Sequence, residues 1–427
     1  MAEIQNSSRK NRWLYLMLPY QIAYGPVSSL VILYILSLHG SVIGASFAVA
    51  LSNLLGIVAS LFWGDVIDKY NRRRIFMGIS FASLTLSLLG LYFTKSILNV
   101  ILIYGALSFM ITANATPLNL LVMETNVKKR WPEGFSKLQV FSSIGSTLGF
   151  VFVFLLSGLL DIRYLILLLV PFSVIALVFT GLIKEPKRVL QRHSILESIH
   201  SFTSRLLTLF VFFVRIPSWQ RIKGLIKRMY TLNLPKMNIL NALYLATFIF
   251  YIGSAIFNTA YLAGLKYKGI NDFGILSIVL LGSIVQTAAF YISGVFTEKR
   301  VKERVASSYL IMRGSGYIAI GVVFALFGAF ANFGAGLIFY PIVAGIAYAI
   351  FGTAFNAMVF EAIGAKNKGK KLGVYSGFAG FGALLGALLA GFLSYYIGFW
   401  ISFMISGILI FGAAYIIILF ASPPRSN

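Results

Sequence analysis

Stretches of about 20 consecutive apolar residues recur along the whole chain, each long enough to cross the hydrocarbon core of a bilayer. In lipid such a segment has to satisfy its own backbone polar groups, so it is read as a helix; an open strand edge would leave them unpaired. The runs are continuous and lack the alternation of a membrane barrel. Only 11% of the residues are charged and the mean hydropathy is +0.86, too little polarity to cover a water-soluble body. Twelve spans are predicted, at 14–38, 42–63, 75–93, 98–122, 138–160, 164–183, 238–263, 274–296, 305–328, 332–358, 373–396 and 399–421. Turn and charge signals such as His39-Gly40, Thr94-Lys95-Ser96 and Asp161-Ile162-Arg163 punctuate them.

A formal charge of +24 suggests nucleic acid until the charges are placed. Of the 36 Lys and Arg residues, 31 fall in the tails and in the connections after the even-numbered spans. The other side holds Lys95, Arg163, Lys266 and Lys268, and Arg313 lies within span 9. This asymmetry predicts an inner- or plasma-membrane protein with both termini in the cytoplasm. It also makes anionic lipid headgroups, and not nucleic acid, the partner of the basic loops. The first apolar run follows Arg9, Lys10 and Arg12 without a small-residue cleavage site, so no cleavable leader is expected. Cysteine is absent, which excludes disulfides, thiol catalysis and thiolate metal sites. His39, His193 and His200 are too scattered for a metal cluster, and no GxxxxGK[ST] sequence is present. Neither a metal, nor a cofactor, nor an enzyme's cluster of His, Asp and Glu is expected.

The connection from 184 to 237 separates six spans from six. The expected domains are an N-terminal bundle, 1–184, a linker, 185–237, and a C-terminal bundle, 238–427. Within the linker, the apolar stretch from Arg205 to Arg215 is too short to span and has basic ends, as do helices lying on a membrane surface. The two halves also repeat one another. A shift of 230 lays Gly64, Asp68 and Lys69 on Gly294, Glu298 and Lys299, and lays Gln21 and Ser28 on Tyr251 and Asn258. A shift of 237 lays Thr116, Asn119, Val122 and Glu124 on Thr353, Asn356, Val359 and Glu361. With 234, KLQVFS from Lys137 meets KLGVYS from Lys371. Six spans per half make the halves parallel, related by an axis along the membrane normal, with a site between them near the midplane.

The segment GDVIDKYNRRRIF, from Gly64, resembles the signature of the major facilitator superfamily: a glycine, an acid four residues on, then a basic cluster. Its weaker copy, GVFTEKRVKERVA from Gly294, lies between spans 8 and 9, where the family repeats it. Asn71 stands where a glycine is usual, and Glu303 interrupts the second basic cluster. The resemblance covers the whole chain and implies an all-α fold of two pseudo-symmetric six-helix bundles. It further implies that Gly64, Asp68, Lys69, Arg72 and Arg73, with Gly294, Glu298 and Lys299, gate the cytoplasmic face. In the family such an acid holds the bundles together, pairing with basic residues and a helix N-terminus of the opposite half.

No acid lies at mid-membrane. Glu124 and Glu361, at the cytoplasmic ends of spans 4 and 10, read as matched gate residues paired with Lys128, Lys129, Lys366, Lys137 or Lys371. Candidate substrate contacts are the polar residues at helical spacing on cavity-lining spans: Gln21, Tyr24 and Ser28; Asn114 and Asn119; Tyr251 and Asn258; Gln286; and Asn356. Tyr244, Thr247 and Ser254 share the face of Tyr251. Hydroxyls and amides also join helices, so an interior position alone does not make a ligand contact. Arg313, the one charge well inside a span, is a functional candidate by default; because span 9 is peripheral in the family, where an arginine more often snorkels or bonds carbonyls, the structural role is preferred. Span 11 is rich in small residues, as a close or sliding helix contact requires. The functional expectation is a monomeric secondary transporter, symporter or antiporter, of a small solute that is neutral or amphipathic. The alternatives are a transport-inactive sensor or scaffold with the same fold, or a translocator of lipids or amphiphiles.

Overall fold

A computed structural model describes residues 12–70, 73–115, 117–118, 121–122, 131–182, 238–298, 300–363 and 368–421. It contains twelve helical spans long and apolar enough to cross a membrane, and no strand among the described residues. Spans 1 to 6 are Leu14–Ser37, Val42–Gly64, Arg73–Phe93, Ile97–Asn114, Lys137–Leu156 and Ile162–Phe179. Spans 7 to 12 are Ile239–Tyr267, Asp272–Thr297, Lys302–Leu326, Ala329–Ile363, Gly373–Tyr396 and Phe399–Leu419. Several helices outrun their hydrophobic windows; that of span 2 continues to Tyr70, and that of span 11 starts at Lys368.

Spans 1, 6 and 10 are each interrupted near a proline, which withholds a backbone donor. Span 1 divides into Met17–Tyr24 and Val27–Ser37 around Gly25-Pro26, and span 6 into Ile162–Leu168 and Val170–Phe179 near Pro171. Span 10 passes through a π-helical segment, Pro341–Ala347, before resuming at Tyr348.

The duplication recurs in backbone detail. His39 (φ 60°) and Gly269 (φ 84°), 230 residues apart, both take the left-handed conformation after spans 1 and 7. The following N–H bonds back in the same way, Gly40 to Ile35 O at 2.9 Å and Ile270 to Leu265 O at 3.1 Å. Both are helix ends closed by a left-handed residue. Small-residue pairs repeat as well. A Cβ on Gly145 of span 5 would lie 2.7 Å from Gln21 Cβ, and one on Gly382 of span 11 would lie 3.1 Å from Tyr251 Cβ. One turn on, Gly149 rests on Ile22 O and Gly386 on Ile252 O. Each half thus seats a Gly-x-x-x-Gly ridge on its first helix, the close approach that membrane helices use in place of a hydrophobic drive.

The two halves meet along spans 2 and 11 and along spans 5 and 8. Phe154, at the end of span 5, stacks on Phe273, at the start of span 8, with centroids 4.6 Å apart. Gly391, near the end of span 11, lies against Ser46, near the start of span 2. Both bundles therefore present the ends of their odd-numbered spans to one face, as parallel halves must. We call this the distal face and its opposite the terminal face.

Candidate functional site

Spans 1 and 7 are the most buried of the twelve, which makes the polar residues still accessible on them the candidates for a surface between the halves. Tyr20, Ile22, Ala23, Val27 and Leu30 of span 1 are buried, while Gln21 and Tyr24 are half-buried and Ser28 is exposed. On span 7, Phe250, Ser254 and Phe257 are buried, Tyr251 is half-buried and Asn258 is exposed. Gln286 of span 8 is half-buried, and Asn356 of span 10 is exposed, its Oδ1 accepting from Tyr375 Oη at 3.2 Å.

Other candidates are occupied within one half. Asn114 is buried; its Nδ2 donates to Ser80 Oγ at 3.2 Å, tying span 4 to span 3, and its side chain reaches Tyr20. Thr247 is sealed and donates to Leu243 O at 2.7 Å, while Tyr244 Oη donates to Lys371 O at 2.9 Å. Asn119 lies outside the described residues.

The residues expected to gate divide in the same way. Gly64 and Gly294 lie in helices near the terminal face, and a Cβ on either would meet nothing within 4 Å; the same holds for Gly373 and Gly377. Asp68, Lys69 and Glu298 end helices, with side chains outside the described set, while Arg72, Lys299 and Glu124 lie outside it altogether. Arg73 is buried at the start of span 3. Glu361 departs from expectation. It pairs with Lys302, on span 9 of its own bundle, and Lys371 instead donates to Ile363 O at 2.7 Å, closing the end of span 10. Position decides this: the start of span 9 lies beside the end of span 10. The pair is half-solvated, with 63% of the Glu361 side chain exposed, so its net contribution is small. Glu361→Gln is therefore expected to leave the melting temperature within about 2 °C of wild type in a thermal unfolding assay.

Two features escaped the sequence reading. A hydroxyl seam crosses the halves at mid-helix, where Ser143 meets Thr287 at 2.7 Å and Thr147 meets Ser283 at 2.7 Å and Thr287 at 2.9 Å. The signal was available as two hydroxyls four residues apart on each of spans 5 and 8. The second is the setting of Arg313, which neither snorkels nor bonds a carbonyl among the described residues. It is 3% exposed, its Nε donates to Tyr317 Oη at 2.8 Å, and its guanidinium lies 5.1–5.4 Å from the centroids of Phe250, Tyr317 and Tyr348. Gly314 and Gly316 follow it, letting spans 12 and 10 close over this stretch of span 9. Among the described residues no group of three or more His, Cys, Asp or Glu could hold a metal ion.

Comparison with known proteins agrees with this geometry. The family model described as Major Facilitator Superfamily matches residues 16–312 and 243–427. A POT family transporter crystallised with 5-aminolevulinic acid superposes with a TM-score of 0.73 at 13% identity, over 97% of this chain and 96% of its own. The xylose transporter XylE from E. coli, in an inward open conformation, gives 0.68 at 13% identity over 99% and 97%. The nucleoside transporter NupG, crystallised as a point mutant, gives 0.67 at 14% identity over 97% and 100%. No curated protein matches the sequence.

Proposed function

Because the chain belongs to the major facilitator superfamily and is an integral membrane protein, we propose that it is a secondary transporter moving a small organic solute by alternating access. The observation that carries this reading is the accessible polar stripe on spans 1 and 7, enclosed between two bundles whose described cross-contacts run from mid-helix to the distal face. Open space at Gly64, Gly294, Gly373 and Gly377 supports a state that admits solute from the terminal face. The Lys and Arg asymmetry supports a cytoplasmic position for that face. Gln21, Tyr24 and Ser28 from one half, with Tyr251, Asn258, Gln286 and Asn356 from the other, are the proposed solute contacts. Asn114 is set aside as a helix tie.

In this reading Asp68, Lys69, Arg72 and Arg73, with Glu298, Lys299 and Glu124, hold the cytoplasmic face shut in the opposite state. Asp68→Asn is then expected to raise the labelling rate of a single cysteine placed near Glu124, measured with a membrane-impermeant maleimide. An unchanged rate would remove Asp68 from the gate. The absence of native cysteine makes that measurement direct.

The transport reading is tested by reconstituting the protein into liposomes and measuring entry of labelled solutes chosen by thermal stabilisation of the purified protein. A solute at about 100 times its dissociation constant adds roughly 2.7 kcal/mol to folding stability. Saturable, counterflow-stimulated entry supports a carrier. A stabilising solute that never crosses would make the protein a sensor.

A further inference from the structure

Arg313 carries a charge that nothing among the described residues neutralises. It lies about 16 Å along span 9 from its start at Lys302, near the middle of the helix. The carboxylates placed among the described residues fall in loops or at helix ends, so none of these is available at that depth. Its Nη1 is sealed from solvent and has no hydrogen-bond partner among the described residues. The three rings around it supply cation–π attraction. That offsets only part of what an unpaired buried cation costs, and it leaves Nη1 without an acceptor among the described residues.

The surroundings connect this charge to the proposed solute surface. Phe250, under the guanidinium, precedes Tyr251 on span 7, and their rings meet edge to face at 5.3 Å. Tyr251 lies in the electrostatic field of Arg313, as it does in that of Tyr348 and Tyr375. Tyr375 holds the exposed Asn356. Tyr348, its ring centroid 5.1 Å from the Arg313 guanidinium, is the first residue after the π-helical segment of span 10, a deformation frequent at functional sites. The other half has no counterpart, since Ser83 stands 230 residues before Arg313.

We propose that Arg313 recognises a carboxylate on the transported solute, with Tyr251 and Tyr348 receiving an aromatic or aliphatic body beside it. The proposal rests on the transport reading and names its substrate class, an organic monoanion. The missing counter-ion arrives with the solute, and its two oxygens accept from the guanidinium as a bidentate pair.

The test uses the purified full-length protein and paired probes: benzoate, phenylacetate and indole-3-acetate, each against its own neutral amide. At least one carboxylate is expected to raise the melting temperature and to bind at least tenfold more tightly than its amide. Arg313→Gln also removes the ring contacts, so Arg313→Lys is measured beside it; it keeps the charge but not the fork. In Arg313→Lys the carboxylate's affinity is expected to fall at least tenfold while the unliganded protein melts within a few degrees of wild type. Carboxylates binding no better than their amides, or undiminished in Arg313→Lys and Arg313→Gln, would overturn the proposal and leave Arg313 a packing residue. Liposome flux separates this from the transport reading. Neutral solutes carried without carboxylate binding would sink the anion site alone. Carboxylates bound through Arg313 but never carried would sink transport alone.

Discussion

Leucine in place of Gly386 is expected to lower the melting temperature by about 5 °C or more and to reduce the amount of folded protein in the membrane, whereas leucine at Gly377, on the same helix, leaves the melting temperature nearly unchanged. The difference lies in what each site faces. A Cβ on Gly386 would stand 2.8 Å from Ala255 Cβ and closer still to Ile252 O, which is backbone and cannot swing aside. Adding a full side chain there pushes span 11 off span 7, at about 3 kcal/mol, the upper end of the usual cost of overpacking. A Cβ on Gly377 meets nothing within 4 Å. In the transport reading that space closes when the bundles rock, so Gly377→Leu is expected to lose solute flux while keeping stability. Thermal unfolding and liposome uptake, measured on the same two preparations, separate the effects. Equal stability of the two variants would mean that the Gly-x-x-x-Gly ridge does not bear the contact between spans 7 and 11.

The repeat itself was legible from residues, because a shift of 230 joined Gln21 to Tyr251, and the fold honours that shift down to the bonds closing spans 1 and 7. All twelve spans were legible too, since lipid imposes one rule on every segment and the rule depends on local composition. What the sequence reading missed depends on which helices meet. Glu361 had several lysines within loop distance, and only the packing of spans 9 and 10 selects Lys302. Arg313 was assigned to the periphery because of its span, yet its rings come from spans 7, 9 and 10, separated by up to about a hundred residues of chain. Only Tyr317, four residues along the same helix, could have been paired with it by spacing. The candidate solute residues were legible as polar stripes, but the stripe cannot distinguish Asn114, spent on Ser80, from Gln21 and Ser28, which stay accessible.

Tying the distal face shut is expected to stop transport. An aromatic contact there joins Phe154 of span 5 to Phe273 of span 8, one from each bundle. Alternating access requires these two helices to part at that face in every cycle, since the solute leaves or enters between the bundles. With no native cysteine in the chain, Phe154→Cys and Phe273→Cys together create the protein's only thiol pair. A short bis-thiosulfonate cross-linker is expected to reduce liposome flux at least tenfold, and a reducing agent to restore it. Each single variant, treated identically, should keep flux within about twofold, because neither ring belongs to the accessible stripe of spans 1 and 7 and its loss removes only one edge of a stacked pair, about 1 kcal/mol. Solute binding in the cross-linked protein is expected to persist, because the terminal face stays open to solute. Loss of flux with retained binding is the signature of a carrier held in one state. Full flux through the cross-linked protein would show that the bundles do not separate at Phe154 and Phe273, and a route between them at that face would have to be abandoned.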